Sequence, residues 1–323
     1  LERLRALGYV GGSGASSSPA AKGPGPRPDP KDRLPLLQDL QKAQALRDEG
    51  RLEEAARLLE DLASKDPQNP EVPFTLASVR FRRNDFAASI AGLRRALELN
   101  PRYAVAVLDL AFAYKAAGRP DDARAGFERV LTLDPDNLKA LLALGESHYT
   151  RGERAKALEY YQRAAAVAPD LALVQFNRGT LALEMSHFDL AEESLRKALS
   201  TGGERPTLHF NLGVIAEHRG QPAVALREYR AEVAAYPQAY KAWVNLGLLE
   251  RQAGRMPAAL EAFQRAAAAQ ADEMAGPYLL AETLAELGRK PEAERWAREA
   301  LARKPSDART LQLLQRLAPG ASR

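Results

Sequence analysis

Few side chains in this 323-residue sequence could do chemistry, and their types narrow what that chemistry is. There is no cysteine, which removes thiol nucleophiles, disulfides and thiolate metal ligands. The four histidines, His148, His187, His209 and His218, fall in no His-x-x-Glu-His or related metal spacing. His209 and His218 lie nine residues apart, which separates them along any helix they share. No glycine-rich phosphate loop occurs, and no Asp/Glu pair stands out as an acid and its base. The expectation is no catalytic, metal or cofactor site in this chain. What remains is a set that could bind. Asn177, Asn211 and Asn245 recur 34 residues apart, each preceded by an apolar residue, Phe176, Phe210 and Val244, with Tyr278 next in that series. An amide donates and accepts at once, so three in a row could hold the backbone of an extended peptide whatever its sequence. The same asparagines could instead satisfy local helix ends.

The elements that carry these residues follow from the same spacing. Gly50, Asn84, Gly118, Gly152, Ser186, Gly220, Gly254 and Gly288 are each 34 apart, without an insertion. Pro67, Pro101, Pro135, Pro169, Pro237 and Pro305 follow six of them by 17 residues. A fixed period of this size marks stacked helical hairpins. In residues 104–137, Val107, Leu110, Ala111 and Tyr114 line one helical face. Gly118 suits a left-handed helix end, and Pro120 the first turn of a second helix. Ala123, Phe127, Val130 and Leu131 then continue to a stop at Asp134-Pro135. Two registers stay small throughout: Ala43, Ala77, Ala111, Gly145, Gly179, Gly213, Gly247, Ala281, and Ala55, Ser89, Ala123, Ala157, Ala191, Ala225, Ala259, Ala293. Close approach of the paired helices explains both. One hairpin has too little core to stand alone, so each is covered by the next. Eight copies are predicted, at 36–69, 70–103, 104–137, 138–171, 172–205, 206–239, 240–273 and 274–307. Ala308–Leu317, with Leu311, Leu314 and Leu317 on one face, reads as a capping helix, and 318–323 as a tail.

With Leu76, Leu110, Leu144, Leu212, Leu246 and Leu280, these small positions resemble the tetratricopeptide repeat pattern over residues 36–307. Its fullest expression is Trp243-Val244-Asn245-Leu246-Gly247. The resemblance implies an all-α right-handed solenoid whose first helices line a concave groove for a protein or peptide. In that register Asn177, Asn211 and Asn245 face the groove, similar to the asparagine ladder of the O-GlcNAc transferase solenoid. Phe176, Phe210, Val244 and Tyr278 would form an apolar floor beside them, where exposed aromatics serve as anchors. Phe74, Phe81, Phe112 and Tyr149 extend that surface towards the N-terminus. A chaperone-tail carboxylate clamp is matched only by Asn211, Lys241 and Asn245. Phe176 and Thr180 stand where that clamp has lysine and asparagine, so capture of a C-terminal carboxylate is not expected. Lys42 and Arg178 replace the leucine, Glu232 replaces a small residue, and Thr201-Gly202-Gly203 replaces the Asp-Pro stop. These departures read as drift at solvent-reachable positions. The sharper alternative makes Ser200–Pro206 a flexible joint between two stacks.

The 46 basic and 42 acidic residues are interspersed, as in Arg51–Arg57, and give a net charge of +4. A nucleic-acid reader would concentrate its arginines, so no nucleic-acid partner is expected. No run approaches the ~18 apolar residues of a membrane span. Oligomeric state stays open, although Leu36, Leu37 and Leu40 could pair terminal hairpins. Leu1–Val10 has helical character, and 11–33 is a Gly/Ser/Pro-rich linker of the kind that tethers two folded units. The opening Leu1-Glu2-Arg3 lacks an initiator methionine and a signal-peptide pattern, so an upstream part is expected. Leu4-Arg5-Ala6-Leu7-Gly8-Tyr9-Val10-Gly11-Gly12 resembles the closing segment of bacterial sulfatase-type hydrolases, many of which continue into a Pro-rich spacer, an Asp-Pro-Lys-Asp segment (here Asp29–Asp32) and a tetratricopeptide tail. The resemblance implies the recognition arm of an exported or membrane-associated sulfate or phosphate ester hydrolase. The Cys/Ser-x-Pro-x-Arg nucleophile motif and calcium site of such an enzyme would lie upstream, since Ser17-Ser18-Pro19-Ala20-Ala21 lacks the arginine. Without that parent the expected location is the cytoplasm. Two other roles fit the same sequence: placing a substrate over the upstream active site, or acting as a free-standing adaptor.

Overall fold

The computed structural model describes residues 30–318, with side chains from Leu34 onward. Among the described residues there are α-helices and no strand. They are α1 (Pro30–Asp48), α2 (Leu52–Lys65), α3 (Glu71–Arg82), α4 (Phe86–Leu99), α5 (Ala104–Ala116), α6 (Pro120–Leu133), α7 (Leu138–Thr150), α8 (Arg154–Val167), α9 (Ala172–Glu184), α10 (Phe188–Ser200), α11 (Leu208–His218), α12 (Pro222–Ala235), α13 (Tyr240–Gln252), α14 (Met256–Ala269), α15 (Ala275–Glu286), α16 (Lys290–Arg303) and α17 (Ala308–Leu317). Leu1–Val10, most of the expected linker and most of the tail lie outside the described residues. α1 begins at Pro30, inside the stretch read as linker to residue 33, because proline is tolerated in a first helical turn.

The eight punctuating residues all adopt a left-handed backbone, with φ from 60° at Asn84 and Ser186 to 80° at Gly50. At Gly118 the turn is closed by Arg119 N–H donating to the Tyr114 carbonyl at 2.9 Å and Gly118 N–H to Lys115 at 3.2 Å. Pro120 and Pro222 open α6 and α12, where the missing N–H has no helical partner to lose.

The small registers are buried along the whole array, but the glycines do more than bring backbones together. A Cβ on Gly145, Gly213 or Gly247 would lie 2.4, 2.4 and 2.5 Å from the rings of Tyr161, Tyr229 and Phe263. The glycine of the first helix makes room for an aromatic ring of the second. Where the second helix offers a leucine the partner varies: Leu59 and Leu93 pair with Ala43 and Ala77, whereas Leu195 meets Gly179, where a Cβ would stand 2.8 Å from Leu195 Cγ. Ala111 faces Phe127, and Gly126 gives the relief instead: a Cβ there would stand 2.7 Å from that of Ala111.

The chain divides into two compact units, Leu1–Ala106 and Val107–Arg323. The first has a core of Leu40, Leu46, Leu59, Leu62, Val72, Leu76 and Val79. Leu40 belongs to this core and Leu36 packs against it, so the leucines exposed on α1 are Leu34 and Leu37. Phe74 lies 4.9 Å from the Tyr103 ring and Phe81 5.4 Å from Phe86.

In the second unit several sequence expectations change. The boundary between units does not fall at Ser200–Pro206. Within that segment Gly203 N–H donates to the Ala198 carbonyl at 3.0 Å, and a Cβ on Gly203 would meet Ala172 at 2.4 Å. Glu232 is not at a solvent-reachable position. It is 1% exposed and accepts the N–H groups of Thr207 at 2.7 Å and Phe210 at 3.1 Å, satisfying donors at the start of α11 that have no helical partner. Arg178 is half-buried as well, with Nε donating to Ser194 Oγ at 2.8 Å and a terminal nitrogen to Glu193 at 3.0 Å. Lys42 is exposed, as drift requires. α17 does cap the array, with Asp307 accepting from Thr310 N–H at 3.0 Å. Its buried face is Thr310, Leu313 and Leu317, with Leu314 packed beside them, whereas Leu311 is 43% exposed. A face running through i, i+3 and i+7 from Thr310 leaves Leu311 a hundred degrees round the helix.

Candidate peptide-binding face

Asn177, Asn211 and Asn245 occupy one register on α9, α11 and α13, but their surroundings differ. Asn211 is 8% exposed, and its amide donates to Thr180 Oγ1 at 3.2 Å. Asn245 donates to the Tyr229 hydroxyl at 3.0 Å and lies 3.4 Å from Glu217 Oε2. The Asn177 side chain makes no hydrogen bond among the described residues. It borders a cavity of about 130 Å³ together with Tyr149, Tyr161, Phe176, Thr180 and Leu181. Asn211 and Asn245 therefore bond side chains on other helices and not local helix ends, and Asn177 is the one with its amide available.

The apolar row is half-buried throughout. The Arg205 guanidinium lies over the Phe176 ring, 4.9 Å from its centre. Phe210 tilts against Tyr229 at 5.8 Å, and Phe112 meets Phe127 edge-on at 5.0 Å. Tyr278 donates to Glu282 at 2.9 Å under the Arg309 guanidinium at 5.2 Å, while Val244 carries no polar group and Lys241 is exposed.

A second row on these first helices ties neighbouring copies. Lys115 Nζ donates to Glu146 at 2.5 Å, Tyr149 to Glu184 at 2.6 Å and Arg251 to Glu282 at 2.7 Å. The Glu184 carboxylate holds the Tyr149 hydroxyl above its ordinary pKa. In the same register, Glu217 accepts from the Tyr229 hydroxyl. Sequence reasoning missed Tyr161 and Tyr229, which reach this face from the second helices. The signal was present: glycine at 145 and 213, each followed by tyrosine 16 residues later. Burial pushes the Tyr161 hydroxyl up to about 12, and burial with the Glu217 contact pushes Tyr229 higher.

Three of the four histidines have structural partners. His148 is buried, stacks on Tyr160 at 5.3 Å, and sets Nδ1 2.7 Å from Glu153, whose carboxyl falls to about 2 under that bond and the Arg151 bond. His209 Nδ1 lies 2.7 Å from Glu228, and His218 stacks on Phe188 at 4.7 Å. Among the described residues no three His, Asp or Glu side chains gather as metal ligands, and no helix is long and apolar enough to cross a membrane.

Comparison with known families agrees with the hairpin geometry. Tetratricopeptide repeat models match residues 46–95, 81–130, 108–172, 176–239, 219–275 and 245–308. The chain belongs to the tetratricopeptide repeat family. It is an all-α repeat solenoid with the architecture of a protein-interaction scaffold. No curated protein matches the sequence. A chain of the APC/C hetero-tetramer Cut9–Hcn1 is similar at a TM-score of 0.52 and 20% identity, over 87% of this chain and 55% of that one. This tetratricopeptide chain thus spans about half the length of that relative. A tetratricopeptide repeat protein from Parabacteroides merdae gives 0.53 at 15% identity over 77% and 98%. YrrB, described as a TPR protein with an unusual peptide-binding site, gives 0.50 at 18% identity over 58% and 97%. At these identities the likeness is one of fold.

Proposed function

We propose that the first-helix face of the Val107–Arg323 unit binds an extended segment of a partner protein, with its grip centred on Tyr149, Phe176 and Asn177. The observation that carries this is the cavity at α7–α9, where an amide without a protein partner stands beside aromatic rings. Pockets that join apolar walls to a few unpaired polar groups are where ligands are held and oriented. The Asn211 and Asn245 positions, whose amides have internal partners, then shape the path more than they grip it. Phe210, Val244, Tyr278, Lys241 and Phe112 complete the surface. That YrrB shares the fold and has a peptide-binding site supports the reading at the level of the fold.

The finer role, recognition arm of a sulfatase-type hydrolase, rests on Leu4–Gly12, outside the described residues, and on Asp29–Asp32, the last three of which open α1. A Cys/Ser-x-Pro-x-Arg motif encoded upstream of Leu1 is required for it, and its absence leaves the adaptor role.

The binding face is tested with a photo-crosslinking amino acid placed at Tyr149 or, on the exposed second-helix side, at Gln264. A defined product from the Tyr149 position and none from Gln264 is expected in native extract. Equal yields at both, or a product from Gln264 alone, would place binding elsewhere.

A further inference from the structure

The repeats act as internal comparisons. Tyr161 of α8 and Tyr229 of α12 lie 68 residues apart and pass Gly145 and Gly213 in one pose. A Cβ on either glycine would stand 2.4 Å from Cε1 and 2.7 Å from Cδ1 of its tyrosine. Tyr229 is bonded by the asparagine of the following first helix, Asn245, and Tyr161 lines one cavity with the corresponding Asn177. At the later site both groups serve a carboxylate: the Tyr229 hydroxyl donates to Glu217 Oε2, and Asn245 Nδ2 lies 3.4 Å from the same oxygen. At the earlier site the residue in the Glu217 register is Tyr149, whose hydroxyl turns to Glu184 at 2.6 Å. The side chains of Tyr161, only 6% exposed, and Asn177 both border the 130 Å³ cavity and have no hydrogen-bond partner among the described residues.

We propose that this cavity is a carboxylate site, taking an Asp or Glu side chain of the bound segment where Glu217 serves as the internal occupant two copies on. The proposal rests on the peptide-binding reading above and adds the chemistry of one ligand position. A tyrosine hydroxyl is protonated near neutral pH, and burial raises the Tyr161 pKa further, so it donates. Thr180 Oγ1 accepts from Asn211 and retains its own proton to give. Donors converging on an ionised acceptor form bonds about twice as strong as neutral pairs. The nearby carboxylates do not oppose the ligand unbalanced, since Glu146 is matched by Lys115 at 2.5 Å and Glu184 by Arg154 at 3.3 Å.

The test is selection of a random peptide library, fused through its C-terminal end so that no terminal carboxylate is free, on the full chain. The wild type is expected to enrich Asp or Glu at one fixed position. Tyr161→Phe and Tyr149→Glu, the second of which recreates the Glu217 arrangement, should each reduce that enrichment about tenfold or more. A consensus without an acidic position, or one unchanged in Tyr161→Phe, overturns the carboxylate site while peptide binding stands. Acid preference confined to synthetic peptides with free C-termini overturns the side-chain assignment in favour of a terminal carboxylate. No enriched peptide at all overturns the binding face itself. Tyr149 is an exposed side chain, so its variant remains informative if Tyr161→Phe fails to fold.

Discussion

A glycine at 145, 213 or 247 is best understood as half of a pair, the other half being the ring that passes it. Adding a methyl at Gly213 puts it 2.4 Å from Tyr229 Cε1, and overpacking of this kind costs about 1–3 kcal/mol. The better helix propensity of alanine offsets about 1 kcal/mol of that. Gly213→Ala is therefore expected to destabilise its hairpin, and Gly213→Ala with Tyr229→Leu to restore the alanine–leucine pairing seen at Ala43 and Leu59. A double-mutant cycle by hydrogen exchange over α11 and α12 checks this; additive costs would contradict it. The sequence disclosed that these positions must be small but not why, because spacing does not say which side chain fills the space. It also disclosed the asparagine register, yet gave no sign that two of the three amides have internal partners. Those partners, Thr180 and Tyr229, come from other helices. The Glu153 carboxyl makes a separate residue-scale prediction. Its pKa is lowered from 4.5 to about 2 by the His148 and Arg151 bonds. A lowered carboxyl stabilises the fold above its ordinary value, and the contribution is lost as pH falls through the folded value. The difference in thermal midpoint between wild type and Glu153→Gln should accordingly be full above pH 4.5 and shrink towards pH 2. A difference constant with pH would be inconsistent with the bond.

Helix boundaries follow closely from punctuation, because a left-handed residue and a following proline each act locally. Where an element depends on a distant side chain, local reading fails. α11 is preceded by Thr207, whose φ of 71° and lack of a side-chain cap mark it as a poor start by itself. Glu232, 25 residues away, supplies the missing acceptors. Replacing a helix-capping acceptor by alanine costs about 0.5–2 kcal/mol. Glu232→Ala is expected to cost at least that, since it leaves two N–H groups unpaired. Loss of amide protection at the start of α11, with α7 and α8 unaffected, is the expected outcome. Uniform loss along the unit would argue against a local cap. The double glycine at 202 and 203 is a similar case: freedom in the unfolded chain says nothing about the Ala198 carbonyl and the Ala172 side chain that Gly203 meets in the folded one.

For the whole molecule, the period of 34 fixes the class, and nearest-neighbour packing fixes how stability is distributed. α17 contributes Leu313 and Leu317 to the core formed with Ala281, Leu284, Ala293 and Ala297. Each buried leucine contributes roughly 1.5–3 kcal/mol. Truncation after Asp307 should strip protection from α15 and α16 first and leave α7 and α8 as they were. Simultaneous loss throughout would contradict a one-dimensional array. The face that binds was legible only as a register, because it depends on which side chains still have unsatisfied groups after the copies pack. The most direct measurement of that claim is the affinity of a crosslinked partner's peptide for the full chain and for Asn177→Ala, with Gln264→Ala as the control on the second-helix side. A loss of about tenfold for Asn177→Ala with helicity and the control unchanged is the expected result. Equal affinity in all three chains would contradict the account.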